Sequence, residues 1–307
     1  MNVLSVDQFS KETLDKLFIK VSDFKQKYQT KEGRDHLFRL QFGKQMCSFF
    51  FEPSTRTRIS FELAARRLGM GVVTVEDAKN SSTVKGETLE DTIKIVNLYN
   101  FDLVVMRHNE TGSLARAAQV SKIPIISGGD GKGEHPTQAL LDVFTIWERF
   151  GRLDNLNVTI GGDLANGRTV RSLANLLSIY DGNTINFVSS PQLKVGDDVK
   201  EKLKQDGTGF KETDNVDSVL GESDVIYWTR IQKERMENPE EIGAKYVIDQ
   251  SKLKIIPEDA IIMHPLPRVD EITTDVDNDK RAYYFQQAEN GLYLRMALID
   301  SVLNGEI

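Results

Sequence analysis

Apolar positions along this chain alternate between two periods. Residues 46–51 (Met-Cys-Ser-Phe-Phe-Phe) form a short apolar run of strand type, Pro53 interrupts it, and residues 59–68 carry helical periodicity up to Gly69. The pattern repeats as strand 71–75, helix 87–99, strand 103–106, helix 113–120, strand 124–126, a Gly-rich loop at 128–133 and helix 136–150. A turn at 151–155 restarts the series with strand 156–160, helix 168–180, strand 184–188, and strands at 224–228 and 260–263. Residues 282–303 read as a long closing helix, and residues 6–27 as an amphipathic one. Strands alternating with helices predict parallel sheets covered on both faces. The expected fold class is α/β: two similar three-layer domains joined near residue 150, each a mostly parallel sheet flanked by helices.

Composition narrows the field. The 307 residues suffice for two domains, and 39% hydrophobic with 28% charged residues is ordinary for a soluble globular protein. No apolar run reaches the ~20 residues of a membrane span, and the N-terminus lacks a signal-peptide pattern. The single cysteine, Cys47, lies in an apolar strand and leaves no intramolecular disulfide to form, so the expected home is the reducing cytoplasm. Four scattered histidines do not make a zinc site. A net charge of −7 argues against a nucleic-acid surface. If such a protein binds an anion, its cations must be gathered locally.

They are gathered at helix starts. A helix N-terminus carries partial positive charge and unpaired N–H groups, so its first turn favours Asp or Glu. Residues 54–58 read Ser-Thr-Arg-Thr-Arg instead. A bound anion, held by amides, hydroxyls and guanidinium, would compensate; the alternative is a solvated helix start whose arginines pair with carboxylates elsewhere. Lys85 precedes the helix at 87, and Arg168 opens another. Arg107-His108 closes a strand, where parallel sheets bind ligands. His135 precedes Pro136, the favoured first helical residue, and a helix start disfavours its charged form, leaving a neutral donor able to polarise a carbonyl. Each also has a plain reading: a mobile loop lysine, a solvated strand-end arginine, a packing histidine. Gly161-Gly162-Asp163-Leu164-Ala165-Asn166-Gly167 joins strand to helix as a dinucleotide loop would, but lacks the G-x-G-x-x-G spacing. Thr229-Arg230 and His264-Pro265-Leu266-Pro267-Arg268 also follow strands.

Taken together, Phe51-Glu52-Pro53-Ser54-Thr55-Arg56-Thr57-Arg58, Lys85-Gly86-Glu87-Thr88, Met106-Arg107-His108, His135-Pro136-Thr137-Gln138, Gly167-Arg168-Thr169 and His264-Pro265-Leu266-Pro267-Arg268 resemble, in order and spacing, the carbamoyltransferase family across essentially the whole chain. The pattern is closer to members that use aspartate than to those that use ornithine, which carry a cysteine where this chain has Pro265. The resemblance implies carbamoyl-phosphate binding in residues 1–150, aspartate binding in 151–284, and a C-terminal helix, 285–307, returning to the first domain. It implies that Ser54, Thr55, Arg56, Thr57 and Arg107 hold the phosphate. His135 and Arg107 would stabilise the carbonyl oxygen, while Gln138 and the carbonyls of Leu266 and Pro267 orient the amide. Arg168, Arg230 and Gln232 would bind the carboxylates of aspartate. Lys85, with Ser81 or Ser82, would come from a neighbouring subunit of a homotrimer, to which regulatory chains are candidate additions. No cofactor or metal is implied. Ala165-Asn166 stands where some regulated members carry lysine and tyrosine, so sigmoidal aspartate kinetics do not follow from the resemblance. Two other readings are a carbamoyltransferase for ornithine or an acylated ornithine, and a non-catalytic anion-binding homologue. Arg230 opposes the first; the complete set Arg56, Lys85, Arg107, His135, Arg168 and Arg230 opposes the second.

Overall fold

The computed structural model describes residues 1–76, 85–131, 133–231 and 244–307. A short 3-10 turn at Val6–Gln8 precedes α1 (Lys11–Lys27) and α2 (Lys31–Leu40). There follow β1 (Gln45–Phe50), α3 (Thr55–Arg67), β2 (Gly71–Glu76), α4 (Leu89–Leu98), β3 (Leu103–His108), α5 (Ser113–Val120), β4 (Ile125–Asp130) and α6 (Pro136–Phe150). The second series is β5 (Asn157–Gly161), α7 (Arg168–Leu177), β6 (Thr184–Val188), α8 (Asp197–Gln205), β7 (Gly209–Thr213), α9 (Asp217–Leu220), β8 (Val225–Trp228), β9 (Ile261–Met263) and α10 (Tyr284–Asn304).

Two sheets result, ordered β2-β1-β3-β4 and β7-β6-β5-β8-β9, with every neighbouring pair parallel. The chain divides into two compact units, Met1–Leu140 with Asn290–Ile307, and Leu141–Glu289. The division falls within α6 and within α10.

In the first unit, Cys47, Phe49 and Phe51 alternate toward one sheet face and pack with Val104, Met106 and Ile125 under α4 (Leu89, Ile93, Val96) and α5 (Leu114, Ala117). The intervening Ser48 points the other way, as the strand period requires, and its Oγ donates to Glu62 Oε1 on α3 at 3.2 Å. In the second unit Val188, Ile226, Trp228 and Ile262 form a core with Val216, Leu220, Ile248 and Tyr284. The inner strands β1, β3, β5 and β8 are buried almost throughout because both faces are covered, while the edge strands β2 and β7 are exposed or half-buried.

Two local expectations need correction. The amphipathic stretch 6–27 is two elements. Ser5 closes a capping box on the 3-10 turn, Phe9 is extended, and Ser10 Oγ accepts the Thr13 N–H at 3.2 Å to start α1; two capping serines make two starts. The Gly-rich segment after residue 126 is no loop at first: β4 continues to Asp130, which pairs with His108 after a register shift between Met106 and His108.

Candidate active site

In the first unit the predicted residues follow the carboxyl ends of neighbouring strands. Ser54 to Thr57 come after β1, Arg107 near the end of β3, and His135 and Gln138 after β4. Lys85, exposed, lies beyond β2. Helix α3 begins at Ser54, which caps with backbone only and makes no side-chain capping bond; its first turn holds no acidic residue. The first-turn N–H groups are therefore left to another acceptor. The two first-turn arginines part company. Arg58 pairs with Glu62 at 4.0 Å and with Glu76, whereas Arg56 has no ion-pair partner among the described residues. Desolvation holds the Arg56 guanidinium below its ordinary pKa although much of the residue is solvent-exposed.

Arg107 ties the segments together. It is 6% exposed; Nη2 donates to Glu52 Oε1 at 2.8 Å and Nη1 to the Gly128 carbonyl at 3.1 Å. Glu52 leads into the Ser54 helix start and Gly128 lies on β4, so one buried guanidinium spans β1, β3 and β4. Gly129, at φ +128°, is required here: a Cβ would stand 2.8 Å from Arg107 Nη1. His135 is buried, and its carbonyl accepts the N–H of Gln138 at 3.0 Å and of Ala139 at 3.2 Å, which makes it the residue that starts α6.

The second unit repeats the arrangement. Arg168 opens α7 after β5, Arg230 follows β8, and Leu266 and Pro267 follow β9, three adjacent strands. Helix α7 has Gly167 as its cap, no side-chain cap bond and no acidic first-turn residue. Gly161 and Gly162, which in sequence suggest a phosphate loop, serve close packing. A Cβ on Gly161 would meet the Trp228 ring at 2.2 Å, and one on Gly162 (φ +108°) the Thr229 carbonyl at 2.2 Å. The glycines let the end of β8, through Thr229, lie against β5, and Arg230 is the next residue.

A buried polar chain fixes these segments. Tyr227 Oη donates to Asp142 Oδ2 at 2.8 Å, Gln287 Nε2 to Asp142 Oδ1 at 2.6 Å, and the His264 N–H to Gln287 Oε1 at 2.9 Å. Burial, then the Asp142 charge, pushes the Tyr227 phenol well above its ordinary pKa, and the Thr169 side chain bonds the same phenol. Beyond β9, Leu266 adopts φ +52° and its peptide to Pro267 is cis. Arg268 forks onto Asp277 and bonds Tyr284 Oη at 2.9 Å, a structural pairing.

Expectations for Gln232, Ser81 and Ser82 lie outside the described residues. Sequence reasoning did not single out Glu52, Asp142, Gln287 or Glu271. For Glu52, Asp142 and Gln287 the only signal is a carboxylate or amide inside an apolar or motif segment, with a partner far along the chain, whereas Glu271 meets His264 seven residues away. Burial pushes the Cys47 thiol up to about 12, which leaves it no thiolate for nucleophilic work at neutral pH. The assembled groups bind and polarise: cations, hydroxyls and helix-start amides in the first unit suit a phosphorylated carbonyl compound, and the guanidiniums of the second suit carboxylates.

Comparison with known proteins agrees with this chemistry. Residues 1–148 match the family profile described as aspartate/ornithine carbamoyltransferase, carbamoyl-P binding domain, and residues 154–302 its Asp/Orn binding domain. The chain is 48% identical to aspartate carbamoyltransferase 1, chloroplastic, of Pisum sativum, over 99% of this chain and 79% of that protein. It is 44% identical to the aspartate carbamoyltransferase catalytic subunit of Clostridium novyi, over 99% of this chain and 98% of that one. Among solved structures, the catalytic subunit of M. jannaschii aspartate transcarbamoylase superposes with a TM-score of 0.92 at 39% identity, covering 99% of this chain and 98% of that chain. The Trypanosoma cruzi aspartate transcarbamoylase in complex with N-(phosphonacetyl)-L-aspartic acid gives 0.91 at 38% identity, covering 98% and 95%.

Proposed function

This chain belongs to the aspartate/ornithine carbamoyltransferase family, and from that premise we propose how its residues carry the reaction. It transfers the carbamoyl group of carbamoyl phosphate to the amino group of L-aspartate, giving N-carbamoyl-L-aspartate and phosphate, a reaction of pyrimidine biosynthesis. The observation that carries the assignment of roles is the set of cations and hydroxyls at the carboxyl ends of β1 and β3, tied together through Arg107.

Ser54, Thr55, Arg56 and Thr57 take the phosphate at the α3 N-terminus, with Arg107 beside them. His135 and Arg107 meet the carbonyl oxygen as negative charge develops. Gln138 and the carbonyls of Leu266 and Pro267 hold the amide. Arg168 and Arg230, with Gln232, bind the carboxylates of aspartate, for which guanidinium forks are better suited than ammonium groups. The neutral amine then attacks the carbonyl carbon, a tetrahedral intermediate forms, and its bond to the phosphate oxygen breaks as phosphate takes the amine proton. Catalysis is alignment, which can contribute ~7–11 kcal/mol, plus electrostatic stabilisation, ~2.7–4 kcal/mol for one oxyanion donor.

Residues 1–150 are assigned to carbamoyl phosphate, 151–284 to aspartate, and 285–307 to a helix returning to the first domain. The active form is a homotrimer in which Lys85 serves the site of a neighbouring subunit. Ile59 and Leu63, one turn apart on α3, and Val73 on the edge strand β2 are exposed apolar residues that support a protein partner on that side. Regulatory chains are a further candidate, in keeping with the name "catalytic subunit" of the Clostridium relative. The cytoplasm is the proposed site of action. The buried, solitary Cys47 suits a reducing compartment, and no helix among the described residues is long and apolar enough to cross a membrane.

The test is direct: purified protein is given carbamoyl phosphate with L-aspartate or L-ornithine, and ureido product is measured. Product with aspartate alone is expected, and Arg230→Ala should raise KM for aspartate far more than for carbamoyl phosphate. The reverse pattern would remove Arg230 from the amino-acid site.

A further inference from the structure

The turn after β9 is held by groups to which none of the roles above is assigned. The Leu266 N–H donates to His264 Nδ1 at 2.8 Å. An N–H can only donate, so Nδ1 is the bare nitrogen of the ring and the proton sits on Nε2. Nε2 lies 2.8 Å from Glu271 Oε1, and both side chains are almost wholly buried, 1% and 2% exposed. The second carboxylate oxygen of Glu271 accepts the N–H of Val269 at 3.1 Å and of Asp270 at 3.2 Å. Burial alone would raise the Glu271 carboxyl; the hydrogen bond from His264, with the backbone N–H groups, reverses this and holds it below the usual carboxylate range. It is therefore the ionised, all-acceptor group that three N–H donors require. On the other side His264 is anchored through its own N–H to Gln287.

We propose that Glu271 is a positioning residue for recognition of the carbamoyl amide. By taking the Nε2 proton it fixes the His264 tautomer, whose Nδ1 then holds Leu266 in its left-handed conformation and sets the direction of the carbonyls of Leu266 and Pro267. The inference rests on the reading that those carbonyls accept the N–H groups of the carbamoyl moiety. Leucine does not adopt φ +52° without a constraint, and the Glu271–His264 pair supplies one from inside the core. Glutamine could not replace Glu271, having a single oxygen for two sets of donors. Either its NH2 faces His264 and drives the proton onto Nδ1, against the Leu266 N–H, or it faces Val269 and Asp270.

The experiment compares carbamoyl phosphate with acetyl phosphate, which has a methyl group, unable to donate, in place of the amide. KM for the first and Ki for the second are measured on the intact enzyme. Wild-type protein should prefer carbamoyl phosphate; no preference would overturn the role of the carbonyls themselves and the inference with it. In Glu271→Gln that preference should fall on the order of tenfold, the worth of about one well-made hydrogen bond. The Ki values of acetyl phosphate and inorganic phosphate should stay as in wild type. A preference equal to wild type, or equal weakening of all three ligands, would overturn the inference while leaving the carbonyls in place. The histidine gives an independent pair that decides the case if Glu271→Gln fails to fold. His264→Asn places an amide oxygen near the position of Nδ1 and should keep most of the preference. His264→Gln, whose oxygen reaches toward Nε2 instead, should lose it; identical behaviour of the two would also refute the proposal.

Discussion

At the scale of single residues the proposed mechanism asks most of His135. Its carbonyl starts α6 and the residue is buried; the role proposed for it is that of a hydrogen-bond donor to the developing oxyanion. A donor that acts on charge present only in the transition state should affect turnover more than affinity. His135→Ala is therefore expected to lower kcat by about 10²–10³ while both KM values change little, measured as initial rates with each substrate varied in turn. A defect confined to KM would reduce His135 to a binding contact. The arginines of α3 mark how far such roles are legible in sequence. Arg56 and Arg58 look alike there, both first-turn cations opposed to the dipole. Glu62 is one helical turn from Arg58 and could have been suspected, but Glu76 joins it only once β2 lies beside α3. What separates the arginine proposed for the anion from the ion-paired one is tertiary.

Helix α3 shows what the site costs its own scaffold. With Arg56 in the first turn and no side-chain cap from Ser54, the helix forgoes the stabilisation that an acidic residue would give. Arg56→Glu should therefore raise stability, by about 0.3–1 kcal/mol at low salt, while abolishing carbamoyl transfer. Chemical denaturation and the ureido assay on the same preparation check both halves, and a destabilised variant would mean that Arg56 has a packing role. Elements with one strong period were legible: the spans expected for α5, α6 and β6 are those observed. Misreadings came where local chemistry and tertiary pairing pull apart. Gly128 and Gly129 carry the composition of a loop, yet β4 runs through them because β3 offers a ladder and Arg107 needs the space that a side chain would fill. Residues 31–40 drew no expectation, and form α2 with Thr30 as its cap. The polar chain Tyr227–Asp142–Gln287–His264 was invisible for another reason: its members are 23 to 145 residues apart.

For the molecule as a whole, a parallel α/β fold follows from alternation alone, whereas strand order does not. The strand order sets the segment after β1, with Arg56, beside β3, which carries Arg107, and the segment after β5, with Arg168, beside the end of β8, which Arg230 follows. Assembly lies one step further out. Lys85 is exposed at the end of the sheet's edge-strand connection, which is where a side chain can reach a neighbouring subunit. If each site combines Arg56 of one chain with Lys85 of the next, Arg56→Ala and Lys85→Ala trimers are each inactive in every site. Random exchange at equal amounts makes roughly three-quarters of the trimers hybrid, and each hybrid of either composition contains one interface with both residues intact. Recovered activity should then approach about one quarter of the wild-type value. Mixing after reversible dissociation, with hybrids resolved by a charge tag and assayed separately, measures it. Hybrids that stay inactive would place Lys85 and Arg56 in the site of a single chain, and an additive recovery beyond that fraction would mean that one of the two variants was never inactive.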